Sequence, residues 1–404
     1  MESVRRAVKQ IAHTPPSQWL STLSPYHLSL TPLLFLASSL YSVAIRLRRQ
    51  LHRLNIFEEH RLPVPVISVG NLTWGGNGKT PMGYGGADEA RMLQRQLKGT
   101  SSKIGVGVNR VAIATKFLEQ YGYMNFRGTY EKLFSGEKME IQSNFDRVGV
   151  AILDDGMQHL SVMRDLEIVM VNALMPWGNH LLIPLGALRE PLTALSRADI
   201  LVIHHVDLAK CQRLCLSSPI NLLALKACRG VIPQSDVPEN AIETLESTIQ
   251  SVKKTLPIFF TRMTPVHFFP CRDISCKIPL KAVENMVVLC LSGIGCADSF
   301  IQSIERMGPA YVDHLDFSDH HLFQLKEIEM VLARLEALEA EFDSNPVVIV
   351  TEKDYDRAPK VLEHMSHYEV WVLCSRLEFV ARKGRTKDGF KKVMRELLGR
   401  RILV

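Results

Sequence analysis

The residues most suited to chemistry follow an apolar run, Val64 to Val69. They are Gly70, Asn71, Leu72 and then Thr73-Trp74-Gly75-Gly76-Asn77-Gly78-Lys79-Thr80. A strand leading into a Gly-rich loop that ends in Gly-Lys-Thr is the layout of a phosphate-binding P-loop. Backbone N–H groups converge on phosphate oxygens in such a loop, which requires that side chains leave the backbone open. Thr73 to Thr80 then read as the cradle for ATP phosphates. Lys79 reaches the β- and γ-phosphates, and the Thr80 hydroxyl falls to Mg²⁺. The strict pattern wants glycine five residues before Gly78, where this chain has Thr73. An ordinary Gly-rich turn is the alternative.

The second signal is Val148-Gly149-Val150-Ala151-Ile152-Leu153-Asp154-Asp155-Gly156-Met157-Gln158-His159. A hydrophobic strand ending in acid is what a P-loop enzyme uses to hold Mg²⁺. Asp154 or Asp155 meets that need at the carboxyl edge of an α/β sheet, where ligands bind. Asp-Gly is also common in plain turns, so the acids gain meaning only from the loop upstream.

These residues need a scaffold, and the chain is long enough to supply one. Its 404 residues suit two domains, and 46% hydrophobic with 22% charged content is ordinary for a globular protein. The net charge of +6 fits an anionic substrate or membrane surface. No basic patch with interleaved aromatics argues for nucleic acid. The eight cysteines lack CxxC spacing, which favours reduced thiols in a reducing compartment.

Apolar runs at Val64–Val69, Val148–Leu153, Ile168–Val171, Ile200–Ile203, Val287–Leu291, Val347–Val350 and Val370–Leu373 predict buried parallel strands. Helical periodicity lies between many of them, at Asp88–Leu97, Ile113–Tyr121 and Phe323–Phe342. The alternation predicts an α/β fold: a P-loop NTPase-like parallel sheet domain over 54–257 and a smaller α/β domain over 258–404. Ser217–Pro257 has scattered prolines and no strong period, so the boundary is placed there.

Two further segments precede the P-loop. Residues 1–27 carry Arg5, Arg6 and Lys9 against Glu2, with Val4, Val8 and Ile11 on one helical face. That predicts an organelle-targeting segment, mitochondrial before plastid, with a solvated basic arm as the alternative. Residues 28–53 hold the apolar stretch Leu30–Ile45, followed by Arg46, Arg48, Arg49, His52 and Arg53. The stretch is short of the ~20 residues that span a bilayer. It predicts a helix in one leaflet with its arginines on headgroups, against the alternative of a buried core helix.

In order along the chain, these blocks resemble the tetraacyldisaccharide 4'-kinase family, enzymes of lipid A biosynthesis. The likeness rests on Val66–Pro81, Gly83-Tyr84-Gly85-Gly86, Asp88-Glu89, Asp154–His159 and Gly186-Ala187-Leu188-Arg189-Glu190-Pro191-Leu192. It continues through Ser292-Gly293-Ile294-Gly295, Phe317-Ser318-Asp319-His320-His321 and Thr351-Glu352-Lys353-Asp354. The resemblance implies ATP-dependent phosphorylation of the 4'-hydroxyl of an acylated disaccharide 1-phosphate at a membrane surface. It implies Asp88 as general base with His320 as its partner from the second domain, and Lys79 on the phosphates. Asp154, Asp155 and Glu190 would surround Mg²⁺ with Thr80, and Arg189 would pair with a phosphate. It also implies an N-terminal membrane-associating helix, matching Leu30–Arg49.

One departure is visible. Family members place a helix and a strand between the P-loop and the Gly-Tyr-Gly block. Here only Met82 separates Pro81 from Gly83, so a segment of roughly twenty residues is missing. A P-loop binds anions partly through the helix that its last residues open. The shortening therefore predicts weak or no kinase activity for this chain, whether it is a splice variant or a reduced protein. The second reading is a catalytically impaired membrane-bound variant or lipid-binding scaffold of the same family. A P-loop enzyme with a different substrate is a third. The sequence leaves the oligomeric state open.

Overall fold

The computed structural model of this chain describes residues 2–74, 87–124, 147–207, 239–319, 321–365 and 367–402. Its nine strands among these residues form one sheet, ordered β2-β1-β3-β4-β5-β9-β8-β6-β7. The strands are β1 (Val66–Asn71), β2 (Ala151–Asp154), β3 (Leu166–Asn172), β4 (Ile200–His204) and β5 (Ile258–Pro270). β6 (Val287–Ser292), β7 (Tyr311–Asp316), β8 (Val347–Thr351) and β9 (Val370–Phe379) complete it. All seven predicted runs contribute a strand. β5 and β7 were not predicted: β5 is interrupted by Pro265, and β7 alternates polar residues because it is the sheet's edge.

The helices are α1 (Glu2–His13), α2 (Trp19–Thr22), α3 (Pro25–Arg53), α4 (Ala87–Gln96) and α5 (Arg110–Tyr121). α6 (Glu239–Val252), α7 (Ala297–Glu305), α8 (Leu325–Phe342), α9 (Glu352–Arg357), α10 (Pro359–Leu362) and α11 (Lys387–Ile402) follow. α6 falls inside a stretch read from sequence as aperiodic. Its Ile242, Leu245 and Ile249 are buried at helical spacing, so a period was there to be found.

Each central strand is buried on both faces, as parallel strands between helix layers must be. Val169, Val171, Leu201 and Ile203 pack with α6, while Ile168, Met170, Ile200 and Val202 pack with Phe390 and Leu398 of α11. The other half repeats the scheme. Leu289, Leu291, Val348 and Val350 meet α8, and Val288, Cys290, Val347 and Ile349 meet α7.

The sheet is mixed. β2-β1-β3-β4 run parallel and continue into the start of β5, and β9-β8-β6-β7 run parallel to one another. β5 and β9 pair antiparallel and join the two sets. The register has a consequence for function. Thr261 of β5 lies level with His204 at the end of β4, and Phe268 opposes Leu373, which is level with Thr351 at the end of β8. The carboxyl edges of the two parallel sets therefore face each other across roughly 20 Å of the β5–β9 ribbon.

α3 docks along one side. Ser38, Tyr41, Arg49 and His52 lie on its inner face, and Ser38 Oγ donates to the Leu182 carbonyl at 2.9 Å. Its 29 residues are long and apolar enough to cross a membrane by length and composition. The helix covers the expected 28–53 segment and begins three residues earlier, at Pro25. Ahead of it, α1 buries Ala7, Ile11 and Ala12, and Asn179 holds the Ile11 carbonyl at 3.1 Å and the Ala12 carbonyl at 2.9 Å.

Candidate active site

The site forms at the carboxyl ends of β1 and β2. β1 connects to β2 on one side while its other neighbour, β3, connects to β4 in the opposite direction, so the strand order reverses between β1 and β3. Such a switch point opens the crevice in which open α/β sheets bind ligands. β1 runs out through Asn71 and Leu72 to Thr73, which bridges Leu188 of the 186–190 loop. Trp74 N donates to the Ala187 carbonyl at 3.1 Å, and Arg189 N donates to the Leu72 carbonyl at 2.7 Å. The entrance of the Gly-rich loop is thereby sewn to the Leu-Arg-Glu-Pro block. Gly75, Gly76, Asn77, Gly78, Lys79 and Thr80 lie outside the described residues, as does His320. Asp88 is the second residue of α4; its side chain also lies outside the description.

β2 ends on Asp154, which is buried, and the chain turns through Asp155 in a left-handed conformation, φ 51°. Asp tolerates that region better than most residues. Gly156 follows because a Cβ there would meet Ser68 Oγ and Leu153. The turn then crosses over Gly70 of β1, where a Cβ would lie 2.8 Å from Met157 N. Two glycines thus let the acidic turn sit directly on the P-loop strand. Gln158 Nε2 fastens it by donating to the Asn71 carbonyl at 3.0 Å.

Arg189 NH1 donates to Asp155 Oδ2 at 2.6 Å, joining two blocks the sequence had kept apart. Glu190 is 5% exposed and faces two guanidinium groups. Arg197 holds both its oxygens, at 2.8 and 3.0 Å, and Arg49 of α3 also pairs with it. Burial pushes the Glu190 carboxyl up, but Arg197 and then Arg49 outweigh that and hold it below the usual carboxylate value. As arranged, Glu190 ties the loop to α3 and to Arg197. Arg49 had been read as a headgroup arginine; its guanidinium turns inward. Tyr41, about two turns earlier on the same face, donates to the Arg189 carbonyl at 3.0 Å.

No cluster of three or more His, Cys, Asp or Glu suited to a metal occurs among the described residues. Mg²⁺ that arrives with a nucleotide needs only one or two protein carboxylates, with waters and phosphates completing its shell. Asp154 and Asp155 at the strand end fit that requirement. The Asn71 side chain is fully buried at the mouth of the loop with neither amide atom hydrogen-bonded, so polar capacity remains for a bound group.

A mixed, mostly parallel α/β sheet with a Gly-Lys-Thr sequence after β1 and an acidic pair at the end of β2 defines a P-loop NTPase-like protein. The particular family follows from comparison. The chain belongs to the LpxK family, tetraacyldisaccharide-1-P 4'-kinase, whose sequence model matches residues 30–85 and 84–395. The two matched stretches meet at Tyr84 and Gly85, just after the short Pro81–Gly83 connection. A protein of Arabidopsis thaliana named probable tetraacyldisaccharide 4'-kinase, mitochondrial, is 42% identical over 425 aligned positions covering all of both chains. The tetraacyldisaccharide 4'-kinase of Halothermothrix orenii is 31% identical, covering 80% of this chain and 81% of that one. Among solved structures, LpxK from Aquifex aeolicus in complex with ATP covers 92% of this chain and 98% of its own at 20% identity, with a TM-score of 0.45. These relatives carry kinase names, which gives no support to an inactive scaffold.

Proposed function

We propose that this chain is an ATP-dependent lipid kinase that phosphorylates the 4'-hydroxyl of a tetraacyl disaccharide 1-phosphate, at a membrane surface in mitochondria. The observation that carries it is the Asp155–Arg189 pair beside Thr73 and Trp74, in a chain of this kinase family. In this reading Thr73 to Thr80 cradle the ATP phosphates, Lys79 neutralises the β/γ-oxygens and Arg189 adds a second cation. Thr80, Asp154, Asp155 and Glu190 would surround Mg²⁺, which would supply charge neutralisation at the transferring phosphoryl group. Asp88 accepts the proton of the sugar hydroxyl, with His320 orienting it. A carboxylate near pKa ~3.9 is a weak base for an alcohol, so orientation carries much of the work.

The outer face of α3 supports the membrane part. Leu33, Leu36, Leu40, Val43 and Leu47 are 57–67% exposed at helical spacing, with Arg46 and Arg48 following. A soluble chain gains nothing from such a stripe, whereas a bilayer surface would cover it and keep the acyl chains in lipid. The relative named mitochondrial and the basic start of the chain support that compartment; import into isolated mitochondria and plastids separates the two organelles.

The test is turnover. Purified chain, ATP, Mg²⁺ and the tetraacyl disaccharide 1-phosphate in mixed micelles should yield the 4'-phosphorylated product, and Lys79→Ala should abolish it while folding is kept. Absence of product from a folded, ATP-binding chain would return the question to the short Pro81–Gly83 connection.

A further inference from the structure

The helix α9, six residues long, touches both of the segments that matter most for proton transfer. On one side lies α4, the helix that begins at Ala87 and Asp88. Arg95 in its last turn forks onto Asp356, with Nε to Oδ1 at 2.9 Å and NH2 to Oδ2 at 2.8 Å, and its NH2 also donates to Glu352 Oε1 at 2.9 Å. The guanidinium sits over the Phe269 and Tyr355 rings, 5.4 and 5.9 Å from their centroids. Asp88 precedes Arg95 by two turns on the same helical face, roughly 10 Å along the axis.

On the other side α9 grips the loop containing the Phe-Ser-Asp-His-His block. Arg357 NH1 donates to the His321 carbonyl at 3.0 Å, to the Gly293 carbonyl at 3.1 Å and to Asp354 Oδ1 at 3.0 Å. Asp354 accepts from Gly293 N at 3.1 Å and from Thr351 Oγ1 at 2.7 Å. The Arg357 and Asp354 side chains are 2% and 0% exposed. Lys353 Nζ lies 3.7 Å from Asp319. Residues 319 and 321 are thus held on both sides of position 320.

A buried ion pair is a costly way to hold a fold together, because apolar packing does so without desolvating charge. Its distinctive product is fixed geometry. We propose that α9 is a strut: Arg95 and Arg357 are positioning residues that set the separation of the Asp88 helix from the 319–321 loop across the two halves. The inference rests on the reading of Asp88 and His320 as base and partner. It adds that Arg95–Asp356–Glu352 on one side and Arg357–Asp354 on the other tie the α4 helix and the residues flanking position 320 to one short helix.

The experiment is a set of steady-state rates and a double-mutant cycle. Arg95→Ala should lower kcat about tenfold to hundredfold, the scale of a misplacement near 1 Å, and leave the KM for ATP within about twofold. Arg95→Lys should recover little, because an ammonium keeps the charge without the planar fork. The acidic limb of the kcat–pH profile should move in both variants. Asp88→Asn should abolish most turnover, and adding Arg95→Ala to it should cost nothing further, since a base that is absent cannot be misaligned. Should Arg95→Ala fail to fold, Glu352→Gln removes one arm of the fork and should show the same pattern more weakly. Unchanged kcat and pH profile in the Arg95 and Arg357→Lys variants, or losses that multiply with that of Asp88→Asn, overturn the strut. Full turnover in Asp88→Asn overturns the base assignment instead, whatever Arg95 does.

Discussion

Arg49 and Glu190 stand 141 residues apart in the chain and meet as an ion pair at the inner face of α3. One belongs to the helix whose other face is an exposed apolar stripe; the residue before the other, Arg189, pairs with Asp155. A short path of contacts therefore connects a bilayer-seeking surface to the acidic turn over the P-loop strand. Arg49→Ala leaves Glu190 with Arg197 alone. Losing one charged partner of a buried carboxylate costs about 1–3 kcal/mol, and the remaining arm keeps the loss near the lower end. Urea unfolding should show that loss, and turnover on vesicle-borne substrate should fall with it. Wild-type values for both would mean that the pair does not couple helix and loop.

The same helix yields a prediction about partition. Leu36 and Leu40 are 58% and 64% exposed and one turn apart. Their burial in lipid is worth about 1.5–3 kcal/mol each at full coverage. Leu36→Asp with Leu40→Asp should weaken binding to anionic vesicles at least tenfold in sedimentation assays, with thermal stability unchanged. Equal sedimentation of variant and parent would remove the apolar stripe as the membrane contact.

Much of this architecture can be read from sequence, and the exceptions share a cause. Buried parallel strands advertise themselves as runs such as Ile200–Ile203, because both faces meet apolar layers. β7 does not, since the polar residues Asp313, His314 and Asp316 of an edge strand break the run. Asp154, Asp155 and Arg189 were legible as motif residues, and their convergence is what the sheet adds. Arg95, Arg197 and Arg357 carried no signal: an arginine on an amphipathic helix looks solvated until the partner acid is located in space. Arg49 was misassigned for the same reason, because a basic cluster beside an apolar helix gives no hint that one member points inward.

Acid should weaken this fold through two histidines at the end of β4. His204 and His205 are 0% and 6% exposed, with ring centroids 3.9 Å apart, and His204 Nδ1 lies 3.0 Å from Thr261 Oγ1. Burial, aided by the neighbouring ring, holds His204 well below its usual value; burial alone brings His205 to about 4. Both groups are neutral in the folded state. Above pH ~6.5 the unfolded chain is neutral at these positions too, and they cost nothing. As pH falls from ~6.5 toward ~4 the unfolded chain takes up protons that the fold refuses, so stability drops, by about 3 kcal/mol for His205 alone. His205 has φ 59°, which asparagine tolerates. His205→Asn should therefore flatten the decline in urea midpoint between pH 7 and pH 5; an unaltered slope would assign the acid sensitivity elsewhere.

The close crossing of the acidic turn over β1 can be tested by a single methyl group. Gly70→Ala would set a Cβ 2.5 Å from Met157 Cβ and 2.8 Å from Met157 N. The second contact is backbone, so relief requires the turn itself to lift, and that turn carries Asp154, Asp155 and Gln158. Overpacking of this kind costs about 1–3 kcal/mol. The displacement should matter more than the stability: moving the acids away from the P-loop entrance should reduce kcat about tenfold or more. Gly389→Ala in α11 is the contrast, because the nearest new neighbours, Thr386 Oγ1 and the Phe259 ring, are 3.5 and 3.8 Å away. That change should be neutral or stabilise by up to about 1 kcal/mol and leave turnover as it was. A Gly70→Ala protein with parental kcat would show that the turn can shift without consequence, and the acids at the end of β2 would lose their place in the proposed chemistry.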